Sequence, residues 1–220
     1  MESFHHPLAH QHIIYKMIYL QNEPDRWKEA FESLSDEVIF SRKFLEQRKV
    51  FLWGPVTGES VREVVNRLLY LEAQHPGEPI TLYLNSPGGS LTDGLIICDT
   101  IRMISSPVST VCMGMCASMA AIILSVGLKG QRGIFPSGEV MIHQPSLGGT
   151  MQGKSIDIEI QAKQIIKAKH LGARILAENC GHPIEKILKD FDRDYWMDAS
   201  EAIEYGIVDR VVESMQPVIV

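Results

Sequence analysis

Three residues stand in settings suited to nucleophilic catalysis. They are Ser118 in Gly114-Met115-Cys116-Ala117-Ser118-Met119-Ala120-Ala121, His143 in Met141-Ile142-His143-Gln144-Pro145, and Asp194 in Asp192-Arg193-Asp194. A serine hydroxyl is a poor nucleophile at neutral pH. It becomes a useful one when a histidine takes its proton and a carboxylate holds that histidine in the right tautomer. Ser118 follows a β-branched run and a glycine and opens an apolar helical stretch. That placement exposes the hydroxyl at the mouth of a sheet and aims helix N-terminal N–H groups at an oxyanion beside it. The G-x-S-x-G elbow is absent, since Cys116 and Ala120 stand where its glycines would be. Gly88-Gly89 follows another apolar run and lets backbone N–H groups turn outward. One of these N–H groups together with that of Met119 would make a two-donor oxyanion hole. Loss of one such donor costs about two to three orders of magnitude in rate.

Each signal also has a plain structural reading. Ser118 could be an ordinary helix N-cap, and Ser86-Pro87-Gly88-Gly89 a simple turn. His143, at the end of the apolar run Glu139-Val140-Met141-Ile142, could be a structural histidine at a sheet edge. Asp194 precedes Tyr195-Trp196-Met197, which predicts partial desolvation and a specific partner. A salt bridge to Arg193 or another cation would satisfy it equally well. Phosphate binding at Gly88-Gly89 is disfavoured, because neither a Walker lysine nor G-x-G-x-x-G is present.

The elements that must position these residues follow from periodicity. Val50–Trp53 reads as a buried strand ending at Gly54-Pro55. Gly58–Glu72 has helical spacing through Val61, Val64, Val65, Leu68 and Leu69, and His75-Pro76-Gly77 stops it. Strands are predicted at Ile80–Leu84, at Val108–Met113, within Gly133–Ile142 and at Ile207–Val212. Helices are predicted at Leu91–Ile104, from Ser118 to about Val126, over Ser155–Cys180, at Ile184–Asp190 and as a turn over Ser200–Tyr205. Strand, turn and helix recur through the chain, the pattern of an α/β fold. Trp27, Ala30, Phe31 and Leu34 have helical spacing and could dock a partner or pack on their own subunit.

Composition narrows the function. The chain has 220 residues, 45% of them hydrophobic and 22% charged, which is globular and not disordered. A net charge of −6 argues against a nucleic-acid or anionic-membrane partner. Cys98, Cys112, Cys116 and Cys180 lack zinc-site spacing and read as free thiols of a reducing compartment. His5, His6, His10 and His12 could bind a metal, or belong to a solvated tail. No metal site and no cofactor of the chain itself is predicted. No signal peptide is apparent, and the longest apolar stretch, Ala117–Leu128, is too short to span a bilayer. The expected location is the cytoplasm.

Taken together, Leu84-Asn85-Ser86-Pro87-Gly88-Gly89-Ser90, the stretch around Ser118, Met141–Pro145, Asp192-Arg193-Asp194 and Ser200–Asp209 resemble the ClpP serine peptidases from about Phe44 to Val212. The resemblance implies a crotonase-like α/β spiral of ββα units, with a protruding strand-helix handle at about 146–180. It implies a domain over 44–215 behind a divergent segment, 1–43. It implies a Ser118–His143–Asp194 triad, an oxyanion hole from the Gly89 and Met119 backbones, and substrate lying as an added strand beside Leu147 and Gly148. Tyr83 matches an aromatic position of the unfoldase docking pocket, although a tyrosine buried in its own strand is the competing reading. Handles of the family interdigitate to join two heptameric rings into a tetradecameric barrel, fed with unfolded polypeptide by a separate Clp-family ATPase that uses the ATP. This chain departs from the family at Met115-Cys116, where Gln-Ala is usual. Its N-terminal segment also lacks the usual axial-loop sequence. Two other functions fit the same residues: a catalytically weak or inactive ring subunit working with an active paralogue, and a crotonase-type acyl-CoA enzyme that needs no serine nucleophile.

Overall fold

A computed structural model of the protein describes residues 36–145 and 154–214. The chain divides into two units, Met1–Phe44 and Leu45–Val220. The predicted helix around Trp27 lies outside the described residues. Helix α1 is Asp36–Glu46; everything below concerns the second unit.

Its centre is a seven-stranded sheet built from β1 (Lys49–Trp53), β2 (Ile80–Ser86), β3 (Val108–Ala117), β4 (Gly133–Ile134), β5 (Glu139–Ile142), β6 (Tyr195–Met197) and β7 (Arg210–Val211). The order β1-β2-β3-β4-β7 is parallel throughout. β2 and β3 sit in the middle, and their near-continuous apolar sequences are what a strand covered on both faces requires. β3 is used twice. Val111 and Cys112 pair with β4, and Met115–Ala117 pair with β5. Between these two halves the register against β2 slips. The Asn85 side chain fills the irregularity, its Oδ1 accepting from the Met115 N–H at 3.1 Å. This bulge carries β3 four residues past its predicted end, Met113, as far as the residue before Ser118.

The region 133–142, predicted to hold one strand, holds two. Pro136 and Gly138 make a turn closed by the Gly138 N–H on the Phe135 carbonyl at 2.8 Å. The terminal strand is shorter than predicted, and β6 was not predicted at all.

The helices are α2 (Gly58–Gln74), α3 (Leu91–Met103), α4 (Met119–Ser125), α5 (Ser155–Cys180), α6 (Ile184–Asp190) and α7 (Ala199–Glu204). A Thr57–Ser60 capping box starts α2, and its buried Val61, Val64, Leu68 and Leu71 form one face. Complete burial of each such side chain is worth about 2 kcal/mol. All seven residues of α4 are buried, so it is the central helix of the core. α5 is about 39 Å long at 1.5 Å per residue. Only its last turns are buried, at Ala173, Ile175, Leu176 and Ala177. Further toward its start it leaves Ile156, Ile160 and Ile166 more than half exposed. Gly181, left-handed at φ 76°, closes it. Cys98, Cys112 and Cys116 are buried free thiols, and Cys180 is a half-buried one. No helix among the described residues is long and apolar enough to cross a membrane.

Candidate active site

Strand register delivers the three candidate side chains to one place. β3 and β5 run parallel with Ala117 opposite Met141, and the Ser118 N–H donates to the Met141 carbonyl at 2.8 Å. β5 and β6 run antiparallel with Ile142 opposite Tyr195. The next pair along that register is His143 and Asp194. Three adjacent strands therefore end in the serine, the histidine and the aspartate, in that order across the sheet. His143 Nε2 lies 2.8 Å from Ser118 Oγ, and His143 Nδ1 lies 3.0 Å from Asp194 Oδ1. An ionised carboxylate only accepts, so Nδ1 must carry a proton. In neutral His143, Nε2 is then bare and accepts from the Ser118 hydroxyl. That is the tautomer a general base requires.

Ser118 occupies the N-cap position of α4 without capping it, because its hydroxyl makes no bond to the helix. Its backbone is at φ 56°, ψ −120°, one of two non-glycine residues with positive φ among those described. Such a conformation costs about 1–3 kcal/mol and persists only where surrounding structure imposes it. Here the Met141 carbonyl holds one side and the buried α4 the other.

The glycine pair faces this elbow. Val56 makes a parallel bridge to Gly89 through its own N–H on the Gly88 carbonyl (2.8 Å) and the Ser90 N–H on its carbonyl (2.9 Å). The Gly88 N–H donates to Ser86 Oγ at 3.1 Å. The bridge does not use the Gly89 N–H, which makes Gly89 the member of the pair suited to an oxyanion. Gly88 has φ 89°, and a Cβ there would stand 2.7 Å from Ser118 Cβ and 3.0 Å from Met119 N. Any side chain at 88 would crowd both Ser118 and the Met119 N–H. Met119 opens α4, where a helix offers its N–H no carbonyl of its own. A cavity of about 220 Å³ adjoins Ser118 and His143, walled by Leu91, Met119, Ile122, Gly172 and Phe191. It presents apolar side chains and polar groups together beside the hydroxyl.

Two expectations about Asp194 are corrected. Its side chain is 61% exposed, and Tyr195 and Trp196 are 40% and 48% exposed, so the neighbouring aromatics do not desolvate it. Nor does it pair with Arg193, which turns back to the carbonyl and carboxylate of Asp192. Tyr83 is buried in β2, its ring stacked on Phe51 at 5.1 Å. Burial also raises the pKa of its phenol.

A family model for Clp proteases matches residues 33–215. The chain belongs to the Clp protease family. The match begins ahead of Phe44, where the sequence resemblance starts, and ends one residue past the described ones. The mostly parallel sheet and its helices are the crotonase-like fold of a ClpP-type serine peptidase. Of the residues expected to act in such a Clp protease, Ser118, His143, Asp194, Gly89 and Met119 border one site, whereas Leu147 and Gly148 lie outside the described residues. Sequence reasoning missed several residues that hold the Clp protease site together. Val56 fixes Gly89, Ser86 takes the spare Gly88 N–H, and Asn85 fills the β3 bulge. Gln144 ties the end of β5 to Phe191 through its backbone N–H (3.0 Å) and to Lys169 on α5 through its side chain (2.9 Å). Gln144 beside His143 and Ser86 within its own turn were the available signals; Val56 bonds through its backbone and Asn85 across strands.

Proposed function

We propose that the chain is the proteolytic subunit of an ATP-dependent Clp protease, a serine endopeptidase that cuts unfolded polypeptides into short peptides. The observation that carries this reading is the continuous Asp194–His143–Ser118 hydrogen-bond relay at 3.0 and 2.8 Å. Ser118 Oγ attacks the scissile carbonyl carbon and gives its proton to His143 Nε2. The Gly89 and Met119 N–H groups receive the oxyanion. Collapse of the tetrahedral intermediate breaks the C–N bond, and His143 passes its proton to the leaving amine. Water, deprotonated by the same imidazole, then hydrolyses the acyl-enzyme. Asp194 orients the ring and stabilises its charged form.

The half-exposed isoleucines of α5 support self-association through the handle into two stacked heptameric rings, since a helix side that apolar needs a cover. Substrate delivery by a separate Clp-family ATPase and location in the cytoplasm complete the reading, with no cofactor in this subunit. The intact relay favours an active subunit over a silent ring partner.

Replacing Ser118 with Ala is expected to lower kcat on a fluorogenic peptide by about 10⁶-fold, as with other triad serines, and to remove fluorophosphonate labelling while assembly by light scattering is unchanged. Retained turnover overturns the assignment. A wild-type chain that labels but cleaves only when mixed with a paralogue supports the ring-partner reading instead.

A further inference from the structure

Gly94 stands in the interior of α3, where glycine costs a helix roughly 1 kcal/mol against alanine. Its surroundings account for the choice. A Cβ at 94 would land on Met119 Cγ and stand 2.7 Å from Cε and 2.9 Å from Sδ. The Met119 side chain thus lies along its length against the bare backbone of α3. Met119 also borders the cavity beside Ser118, but the atom met first is Cγ, one bond from Cβ, so turning the outer thioether into that cavity does not clear the clash. One helical turn below, the Gly94 N–H donates to the Ser90 carbonyl at 3.0 Å. Ser90 is the N-cap of α3 and directly follows Gly89. The first turn of α3 therefore touches both oxyanion donors: Gly89 by chain continuity at its foot, and Met119 by side-chain contact at Gly94.

We propose that Gly94 is a positioning residue for the oxyanion hole. In this role the turn Ser90–Gly94 sets the spacing between the Gly89 and Met119 N–H groups. The inference rests on the reading of those two groups as the oxyanion donors. A methyl at 94 meets Met119 at Cγ and, by pushing that atom off α3, moves the backbone N–H with it. Donors of this kind act on the tetrahedral species far more than on bound substrate. The damage falls on kcat, with KM nearly unchanged.

The test is a double-mutant cycle on the full-length chain, with Gly94→Ala made in the wild-type and in the Met119→Ala backgrounds. Turnover of a fluorogenic peptide and inhibition by a peptide boronate, which forms a tetrahedral adduct on the serine, are measured for all four proteins. Gly94→Ala alone is expected to lower kcat by about 10- to 100-fold, to leave KM within about twofold and to weaken the boronate in parallel. With Met119 truncated the obstacle is gone, and the same substitution is expected to leave kcat within about twofold of Met119→Ala. An equal loss of kcat in both backgrounds, or a loss carried by KM, overturns the proposal. Should Gly94→Ala alone fail to fold by circular dichroism, the Met119→Ala pair decides, because a fall in kcat there also overturns it. A wild-type chain that neither cleaves nor labels with a fluorophosphonate overturns the underlying reading and this one with it. An active wild type with additive losses overturns this one alone.

Discussion

Two aspartates of this molecule meet a nitrogen base in opposite ways. Asp209 closes the end of the sheet. Its Oδ2 accepts from the backbone N–H of Gly130 (2.8 Å), the backbone N–H of Arg132 (2.9 Å) and Arg132 Nε (2.9 Å), while Oδ1 takes Arg132 Nη2 at 2.5 Å. Arg132 is only 2% exposed and directs Nη1 to the carbonyls of Asn179 and Ser125. Burial pushes the Asp209 carboxyl up, but the hydrogen bonds and charge of Arg132, with help from Gly130, hold it below its ordinary value. Asp194, by contrast, makes one bond to His143 and leaves the rest of its carboxylate in water. The first arrangement uses both carboxylate oxygens and three guanidinium nitrogens and joins α4, α5, β4 and β7. The second commits a carboxylate to one imidazole nitrogen. Stability and reactivity are thus held in different places, and a change at one is expected to spare the other.

The largest effect expected is on rate. In Asp194→Asn the amide can donate to His143 Nδ1, which favours the wrong tautomer, so kcat is expected to fall about 10⁴-fold. Exposed pairs contribute little to folding, so the urea unfolding free energy should change by less than about 1 kcal/mol. A large stability loss would erase the contrast between the two aspartates.

Asp209→Asn should do the reverse. Removing one partner of a buried pair leaves the Arg132 guanidinium uncompensated and costs about 3 kcal/mol in urea unfolding. Turnover per folded molecule is expected to stay within about twofold of wild type, since neither residue borders the cavities beside Ser118, His143 and Asp194. A kcat that falls with stability would show that the clamp also shapes the site.

The smallest effect is a pH dependence. A carboxyl whose folded pKa is depressed contributes stability above its unfolded value, near 3.9 for aspartate, and that contribution is lost as pH falls through the folded value. The stability gap between wild type and Asp209→Asn is therefore expected to be constant above about pH 5 and to narrow below pH 4, read by urea melts across that range. Glu72 follows the same sign. Hydrogen bonds from the hydroxyls and N–H groups of Ser105 and Ser106 hold it at about 2. Glu72→Gln is expected to lower stability above about pH 5, by a gap from wild type that narrows below about pH 4. A gap that stays constant down to pH 2 would mean that neither carboxyl is depressed by its partners.

Legibility in the sequence tracked the range of the interactions. α2, α5 and α6 were readable because caps, stops and apolar spacing are local to each helix. β6 was not, since three residues carry no period and its existence depends on pairing with β5. The extension of β3 was hidden because the bulge is filled by Asn85 from another strand. The split at Pro136-Ser137-Gly138 could have been read, because proline and glycine there are ordinary turn signals.

By itself the sequence determined which groups are available for chemistry: a serine after a strand, a histidine at a strand's end, an aspartate before aromatics, and a glycine pair after an apolar run. Those are properties of residue type and near neighbours. Only the tertiary structure decided that the three side chains meet, that Ser118 is strained and does not cap α4 with its hydroxyl, and that Asp194 answers to His143 and not to Arg193. It also placed against a glycine of α3 a methionine 25 residues away along the chain. Register between strands and contact between helices are sums over distant residues, and no local window contains them.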